Sequence, residues 1–440
     1  MNEVVSTAAM RQRVIWSSTI GNALEWFDFA VFGSFAAIIG QQFFPKTNPT
    51  ASLLSVYGLF GIAYIARPLG GIVFGTWADR IGRKRALVTI VLTMAFGTAM
   101  IGLLPTYEQI GLAAPALLLA ARLIQGFSAG GEFGTSTAML VEFAPPGRRG
   151  FYASFQFVAQ AVAFSLAAAF AFALNSYLSP EALHSWGWRV PFLLGIVIGP
   201  VGFYLRRAVD ETPEFKAYAA RHAGMKTTPL RDVLRDHTRA LFSLLFIIAG
   251  LTAVTYYNTV FAPNFSATVL GLKMADAQIG VLFSSLVAAV GLPATAALSD
   301  RVGRRKIMIP AIVVYLVLLH ILMRHLLAAP SNPALWSMQA LVLVAIFING
   351  PSCVLALEVF PVGVRSTGAS IVYNFAVAIF GGLAPLVSGW LIEITGDKMA
   401  PIYYVTACML LTVFGLAILP ARAKDLAEPA VSGDRPTARA

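Results

Sequence analysis

Four charged residues interrupt stretches of the sequence that are otherwise apolar. Glu25 and Asp28 lie three residues apart in one such stretch, and Arg67 and Arg122 lie in two later ones. A charge at mid-bilayer costs at least about 2.5–3.5 kcal/mol on insertion scales, so such residues face a cavity or a partner. Carboxylates at i and i+3 are neighbours on a helix, and their crowding favours a proton on one of them. We therefore expect this pair to carry protons; the alternative is that both lie nearer the membrane surface and pair with a basic loop.

The two arginines need anions for the same reason. Arg67 has two candidate partners, the carboxylates of the first stretch or a substrate carboxylate, and the sequence leaves both open. Arg122 shares a helix face with Gln125 and Glu132, because at about 100° per residue the three fall within roughly 80°. We expect Arg67, Arg122 and Gln125 to contact substrate and Glu132 to be a third proton carrier. An internal salt bridge is the alternative for Arg122.

A glycine stripe adjoins this face. Gly126, Gly130 and Gly134 recur every fourth residue, the spacing of close helix packing in membranes. A dinucleotide-binding loop is excluded, because no strand precedes these glycines and the Gly-x-Gly-x-x-Gly pattern does not occur.

Neutral polar side chains within apolar stretches are the remaining substrate-binding candidates. Tyr and Asn can hydrogen-bond a ligand without the desolvation cost of a charge. Helix packing is the alternative for each of them. The candidates of this kind are Asn22, Tyr256, Tyr257, Asn349, Tyr373 and Asn374.

A basic turn occurs twice, at 75–85 and in weaker form at 298–306. Its aspartates, Asp79 and Asp300, are 221 positions apart, half of the 440-residue chain, which indicates two related halves. Glycine permits the tight turn, and an aspartate at a helix end can pair with the neighbouring bundle and latch one conformation. A solvated basic loop would explain the arginines but not the repeated order of acid, base and glycine. The predicted gating residues are Asp79, Arg80, Gly82, Arg83, Asp300, Arg301, Gly303 and Arg304.

The elements that position these residues follow from composition. Hydrophobic residues make up 58% of the chain and charged residues 12%, with a mean hydropathy of +0.73, whereas a soluble domain has about 25% charged residues. About 20 apolar residues cross a bilayer as a helix, and these runs are too long and continuous for barrel strands. We predict an all-α polytopic membrane protein with two pseudo-symmetric six-helix bundles. The predicted spans are near 13–40, 52–76, 86–106, 112–142, 153–176, 187–206, 239–264, 275–299, 306–327, 335–358, 368–394 and 401–420.

Charge distribution predicts the orientation. The net charge of +11 comes from Lys and Arg that collect in alternate loops, so it indicates cytoplasmic loops and termini rather than a nucleic-acid partner. The first ten residues show no cleaved signal peptide. The predicted domains are 1–206, a first bundle; 207–238, a cytoplasmic linker; 239–420, a second bundle; and 421–440, a disordered cytoplasmic tail.

These motifs carry a family resemblance. The loop at 75–84, repeated at 300–305, resembles the signature loop of the major facilitator superfamily. The stretches 21–29, 67–71, 122–132 and 186–192 resemble its metabolite:proton symporters, which include citrate, α-ketoglutarate, shikimate and proline/betaine importers. The segment 378–385 followed by 395–398 is similar to citrate and tricarballylate carriers, whereas Trp26 is similar to the α-ketoglutarate and betaine carriers. The resemblance implies two six-helix bundles with a central site open alternately to each side.

The function expected from these features is proton symport of an organic acid, such as citrate, tricarballylate or α-ketoglutarate, across the bacterial inner membrane. The arginines would neutralise substrate carboxylates, since guanidinium is a planar fork matched to that group. A zwitterion such as proline or betaine is the alternative substrate. A nutrient sensor that binds its ligand without transporting it is a further alternative, which the sequence favours less. We expect no enzyme, cofactor or metal, because the spans carry no nucleophile–base pair or metal cluster, and Cys353 and Cys408 have no ligand spacing. By analogy with the superfamily, we expect a monomer.

Overall fold

The structure is a computed structural model that describes residues 8–45, 49–81, 83–130, 132–145, 147–194, 196, 200, 229–360 and 365–420. Within these ranges the regular structure is helical, and none of it is β-strand, as predicted. Most of the predicted linker 207–238 and the whole tail 421–440 lie outside the described residues, so the domain bounds stay a prediction.

We number the long helical stretches in chain order. Their bounds are α1, Ala8–Ser34 and Ala36–Phe43; α2, Pro49–Ile81; α3, Arg83–Leu103; α4, Ala113–Ala129 and Phe133–Glu142; α5, Arg149–Tyr177; α6, described over Val190–Leu193; α7, Thr238–Tyr256, the π-helical Tyr257–Phe261 and Ala262–Thr268; α8, Met274–Val302; α9, Arg304–Ala328; α10, Asn332–Gln339, Val342–Ser352 and Leu355–Val359; α11, Arg365–Ala376, the π-helical Val377–Gly382 and Ala384–Thr395; and α12, Ala400–Ile418. Short helices, Tyr107–Ile110, Pro180–Ser185, Gly187–Arg189 and Pro229–Asp236, lie between them.

Eight helices in the described part of the chain are long and apolar enough to cross a membrane, from Ala51–Gly71 in α2 to Ala400–Ile418 in α12. An α-helix forms in such runs because hydrocarbon offers backbone groups no hydrogen-bond partner outside the segment itself. Several of the helices are interrupted. The breaks in α4 and α10 and the π-helical turns in α7 and α11 all fall within spans that the sequence predicted as continuous.

The helices pack in a way that follows the internal repeat. Within the halves, α1 packs on α5, α2 on α4, α7 on α12 and α8 on α10. Between the halves, α5 packs along α8 and α2 packs along α11. In the internal repeat, α2 of the first half corresponds to α8 of the second, and α5 corresponds to α11. Exchanging the two halves therefore turns the contact of α5 with α8 into the contact of α11 with α2. The pairing therefore has the two-fold character that the repeated loop predicts.

Glycines set the distance between α2 and α4. A Cβ placed on Gly126 would lie 1.7 Å from the carbonyl oxygen of Ala63, and one on Gly130 would lie 1.8 Å from that of Arg67. Neither position has room for a side chain, which agrees with the close packing that the glycine stripe predicts. The consequence for function is that the backbones carrying Arg67 and Arg122 lie side by side.

The two halves meet on both sides of the membrane region. On one side, which we call the Asp300 side, Asp300 at the end of α8 binds the start of α5. On the other, which we call the Asn264 side, Nδ2 of Asn264 donates to the carbonyl oxygen of Gly33 in α1 at 3.1 Å. A Cβ on Gly33 would lie 2.8 Å from a methyl group of Val260. The central region therefore lies between two sets of contacts that join the halves.

Candidate substrate and proton site

A cavity of about 110 Å³ lies at the centre of the fold, between α1, α5, α7, α8, α10 and α11. One water needs about 10–15 Å³ by this measure, so the cavity has room for several waters or a small molecule. All of the described residues that line it are uncharged. Amide and hydroxyl groups such as Gln160, Asn258 and Thr255 alternate with the aromatic rings of Trp26 and Phe164.

Three of the predicted substrate ligands line this cavity: Tyr256, Asn349 and Tyr373. The hydroxyl of Tyr373 accepts a 2.8 Å hydrogen bond from Nε2 of Gln160 in α5. Its ring stacks on Phe133 of α4, with centroids 3.4 Å apart. Tyr373, which lies in α11, is thereby fixed against two helices of the first half, which makes it a rigid wall of the cavity.

Two other predicted ligands point elsewhere. Nδ2 of Asn22 donates to the backbone carbonyl of Gln156 at 3.0 Å, which joins α1 to α5. The hydroxyl of Tyr257 lies against the sulfurs of Met323 and Met338, inside the second bundle. Tyr256, the residue before it, faces the cavity, since neighbouring residues of a helix point about 100° apart.

Arg67 lies behind one wall of the cavity, fully buried and enclosed by partners. Its Nη2 is 3.1 Å from Oε1 of Glu25 and 3.4 Å from the carbonyl oxygen of Ala129, and its Nε donates to Oδ1 of Asn374 at 3.2 Å. The guanidinium carbon lies 5.1 Å from the ring centre of Trp26, which itself lines the cavity. In this conformation Arg67 has the carboxylate partner that the sequence left open. Asn374, another predicted ligand, is its link to the second half.

Arg122 belongs to a separate buried network. Its Nη1 donates to Oε1 of Gln125 at 2.7 Å, and Nε2 of Gln125 donates to the hydroxyl of Thr98 at 2.7 Å. Thr98 in turn makes a very short hydrogen bond to Oδ2 of Asp28. The Arg122 guanidinium carbon also lies 4.1 Å from the ring centre of Phe32. Arg122 and Gln125 are therefore connected to a carboxylate rather than exposed to the cavity.

The three predicted proton carriers occupy different surroundings, although all are buried. Glu25 is paired with Arg67, and Asp28 is bonded to Thr98. The second oxygen of Asp28, Oδ1, makes no hydrogen bond to a described group. Glu132 lies at the break between the two segments of α4. Although Glu25 and Asp28 are one helical turn apart, each belongs to a different arginine network.

Asp300, a predicted gating residue of the second half, contacts the first half in the described residues. Oδ1 and Oδ2 of Asp300 accept hydrogen bonds from the backbone N–H groups of Gly150 and Phe151 at 3.1 and 3.2 Å. These are first-turn donors of α5, which have no partner inside their own helix. Arg304 holds Asp300 at 2.5 Å and Glu358 of α10 at 3.0 Å. The contact joins α5 of one half to three helices of the other.

The other predicted gating residues are only partly described. Arg301 is exposed, and Gly303 has a φ of 102°, a left-handed conformation that favours glycine in the turn between α8 and α9. Gly82 and the side chains of Asp79, Arg80 and Arg83 lie outside the described residues, so the first latch stays a prediction.

The structure adds three residues that the sequence did not single out, Thr98, Gln160 and Glu358, and it gives a place at the site to Trp26, which the sequence used only for the family resemblance. Gln160 and Glu358 carried a signal, since a lone amide or carboxylate within an apolar run needs a partner. Thr98 carried none, because a threonine in a helix ordinarily bonds the carbonyl four residues earlier. Trp26 matters through its position between Arg67 and the cavity, which only the fold reveals.

Comparison with known proteins identifies the family. The model of the Major Facilitator Superfamily matches residues 19–372 and 258–439. A citrate-proton symporter of Klebsiella pneumoniae is 41% identical over 392 residues, which cover 88% of this chain and 87% of that protein. An alpha-ketoglutarate permease of Escherichia coli K12 is 37% identical over 409 residues, which cover 91% and 92%.

The fold has relatives among solved structures. The xylose transporter XylE from E. coli, in a partially occluded inward open conformation, matches with a TM-score of 0.74 at 18% identity over 95% of this chain and 99% of that one. The prediction of a twelve-helix fold in two bundles is confirmed. The family predicted from the motifs is confirmed as well, and the chain belongs to the Major Facilitator Superfamily, within its metabolite:proton symporters.

Proposed function

We propose that this chain is a proton-coupled symporter that imports an organic acid, a di- or tricarboxylate such as citrate, tricarballylate or α-ketoglutarate, by alternating access. The observation that carries the proposal is the buried ion pair of Glu25 and Arg67, one aromatic ring away from the central cavity. This pair supports the proposal, because a carboxylate can accept the coupling proton and the guanidinium that it contacts can bind an anion.

Coupling follows from the donors of Arg67. Its Nη2 is engaged by Glu25, whereas its Nη1 has no described hydrogen-bond partner. A carboxylate binds guanidinium best through two parallel N–H groups. Protonation of Glu25 weakens its hold on Nη2, so both terminal nitrogens become available to a substrate carboxylate. A proton and an anion then enter together, and neither site is left with an unbalanced charge in the membrane.

The second network supplies another proton site and another cation. Asp28 is linked to Arg122 through Thr98 and Gln125, so a proton on Asp28 alters the field at Arg122 without direct contact. Arg122 is the second candidate for neutralising a polycarboxylate. Glu132 is a third candidate carboxylate.

The contact at Asp300 is proposed as the latch of the outward-facing state. It closes the Asp300 side only while α5 and α8 are together, because its donors and acceptor lie in different halves. The equivalent loop at Asp79 would close the same side against α11. Since these loops are basic, the Asp300 side is proposed to face the cytoplasm, together with both termini.

The protein is a multi-pass inner-membrane protein, as bacterial relatives and its apolar helices indicate. The proposed partners are the organic acid, protons and the lipid bilayer, with no nucleic acid. We propose that a single chain is the transporting unit, because both halves of the cavity come from one chain.

Uptake by the purified protein in proteoliposomes tests the proposal. Labelled citrate is supplied at acid outside pH, with and without a protonophore, and competed by unlabelled tricarballylate, α-ketoglutarate, shikimate, lactate and betaine. Uptake that the protonophore abolishes and only polycarboxylates block is the expected result. Citrate uptake that is unchanged by the protonophore would refute proton coupling.

Matched variants test the assigned residues. Arg67→Ala and Arg122→Ala are each expected to reduce uptake to background while the protein remains folded. Arg324→Gln is the control, because it removes an exposed cation on α9 that contacts neither network. Normal uptake by well-expressed Arg122→Ala protein would remove Arg122 from the site.

A second candidate substrate, a zwitterion such as proline or betaine, is favoured by one observation. The cavity is walled by aromatic rings, among them Trp26, Phe164, Tyr256 and Tyr373, and aromatic faces bind ammonium groups. Such a substrate would place its cation against the rings and its carboxylate towards Arg67. Block of uptake by betaine, with no effect of tricarballylate, would select this candidate.

A further inference from the structure

Thr98, in the second half of α3, lies between two acceptors. Its side chain is fully buried. Its hydroxyl makes a very short contact with Oδ2 of Asp28 and also lies 3.1 Å from the carbonyl oxygen of Met94, one turn earlier in the same helix. A hydroxyl has one proton to donate, so it can satisfy only one of these acceptors at a time.

The same hydroxyl also accepts a hydrogen bond. Nε2 of Gln125 donates to it at 2.7 Å. A hydroxyl has two lone pairs, and Gln125 uses one of them. The other lone pair is available to a donor on the side of Asp28, and such a donor exists only when the Asp28 carboxyl group is protonated.

These contacts give Thr98 two complete arrangements. When Asp28 is ionised, Thr98 donates to Oδ2. When Asp28 has taken a proton from solution, its carboxyl group donates to Thr98, and the threonine proton turns to the Met94 carbonyl. Gln125 remains bonded in both arrangements, so the Thr98 hydroxyl, Oδ2 of Asp28 and the Gln125 amide N–H each keep a partner, whose loss would be costly.

The charged groups that face Asp28 are few. Arg122 approaches from α4 through Gln125, and Glu25 lies one turn earlier on α1, where it is paired with Arg67 of α2. From α3, the group that touches the carboxylate is the neutral Thr98. Thr98 is thus placed to respond to the proton rather than to compete for it.

We propose that Thr98 is a positioning residue for proton coupling: its hydroxyl orients Asp28 and changes hydrogen-bond partner when Asp28 gains or loses its proton, while the bond from Gln125 holds the hydroxyl in place beside the Arg122 network. This inference rests on the proposed function, proton symport. It adds a residue on α3, where the sequence assigned a role only to Arg83 at the first position and the cavity assigned none.

The test compares Thr98→Val with Thr98→Ser. Valine keeps the shape and removes the hydroxyl, whereas serine keeps the hydroxyl. Without Thr98 the ionised Asp28 loses a hydrogen bond, so the pH at which proton-driven uptake is half-maximal is expected to rise by about one unit or more in Thr98→Val. Thr98→Ser is expected to match the unaltered protein. Substrate exchange at one fixed pH, which needs no net proton movement, is expected to match the unaltered protein in Thr98→Ser.

A second measurement reports on Asp28 itself. Infrared difference spectra, recorded as pH is changed, identify the protonated Asp28 carboxyl group as the band that Asp28→Asn removes. The band is expected to change frequency and to persist to higher pH in Thr98→Val. Thr98→Cys, whose thiol is a weak donor, is expected to lie between serine and valine and replaces the valine variant if that protein does not fold.

The outcomes separate the two claims. Uptake by the unaltered protein that is insensitive to pH and protonophore would overturn proton symport, and this inference with it. If uptake is proton-driven but Thr98→Val leaves both the pH midpoint and the carboxyl band unmoved, the role of Thr98 is refuted alone. A shift in Thr98→Ser as large as that in Thr98→Val would also refute it, because serine retains the hydroxyl.

Discussion

The buried pair of Glu25 and Arg67 makes a quantitative prediction about stability. Glu25→Gln removes the carboxylate 3.1 Å from Arg67 and leaves a buried guanidinium without its counter-charge. Breaking one partner of a buried pair costs about 3–5 kcal/mol. Asn374 still accepts from Nε, and the ring of Trp26 lies 5.1 Å away, so we expect a loss near the lower end, about 3 kcal/mol.

The double variant tests the reason for that loss. In Glu25→Gln/Arg67→Met no buried charge remains at the pair, and methionine fills the space of the arginine stem. Replacing both members of a buried pair by neutral groups is often close to neutral for stability. We therefore expect the double variant to be more stable than Glu25→Gln alone, by about 2 kcal/mol or more.

The measurement is the free energy of unfolding in detergent, followed by tryptophan fluorescence for the unaltered protein, each single variant and the double variant. Glu393→Gln is the matched control, since it removes an exposed carboxylate on α11, and it is expected to change stability by less than about 0.5 kcal/mol. If the double variant loses the sum of the single losses, the two residues do not interact. The coupling proposed for them would then be refuted.

Three further predictions concern the helix contacts and the cavity. Asp300→Asn should weaken the cap on α5 by about 1–2 kcal/mol, seen as roughly tenfold faster hydrogen exchange at the Gly150 amide; unchanged exchange would contradict the latch. Gly126→Ala should lower the unfolding temperature because its Cβ meets backbone at 1.7 Å, whereas Gly58→Ala, with no atom within 4 Å, should not; equal effects would contradict the packing. Trp26→Ala should open the cavity towards Arg67 and increase uptake of larger polycarboxylates relative to smaller ones, measured as a ratio of kcat/KM. An unchanged ratio would contradict the assignment of Trp26 as the wall between the cavity and Arg67.

The sequence predicted the fold because membrane helices follow from composition and length. Twelve apolar runs, a loop repeated after half the chain and the alternation of basic loops were sufficient. It also located the charged residues of α1, α2 and α4, since a charge in an apolar run has few explanations. The π-helical turn of α7 was less accessible, because the residues of Tyr257–Phe261 have no spacing that distinguishes such a turn from a continuous α-helix.

The pairing of those charges was not predictable in the same way. Glu25 and Asp28 are one turn apart and look equivalent in the sequence, yet the first meets Arg67 and the second reaches Arg122 only through Thr98 and Gln125. Which arginine each carboxylate meets depends on the separation of α2, α3 and α4, and the glycines of α4 fix part of it. The spacing of residues along one helix does not give the distances between three different helices.

The two networks also bear on how many protons accompany each anion. In the proposed mechanism, Arg67 offers two parallel N–H groups to a carboxylate only after Glu25 releases Nη2, so each substrate bound there is expected to bring one proton. The same guanidinium holds Asn374 of α11 through Nε, which a carboxylate on the terminal nitrogens leaves in place. Substrate can therefore bind without breaking the link between the halves. Asp28 lies outside this exchange, and a second proton is needed only if Arg122 is also recruited. A dicarboxylate and a tricarboxylate could then use the same site with different numbers of protons, and the measured ratio of protons to substrate would show which arginines take part.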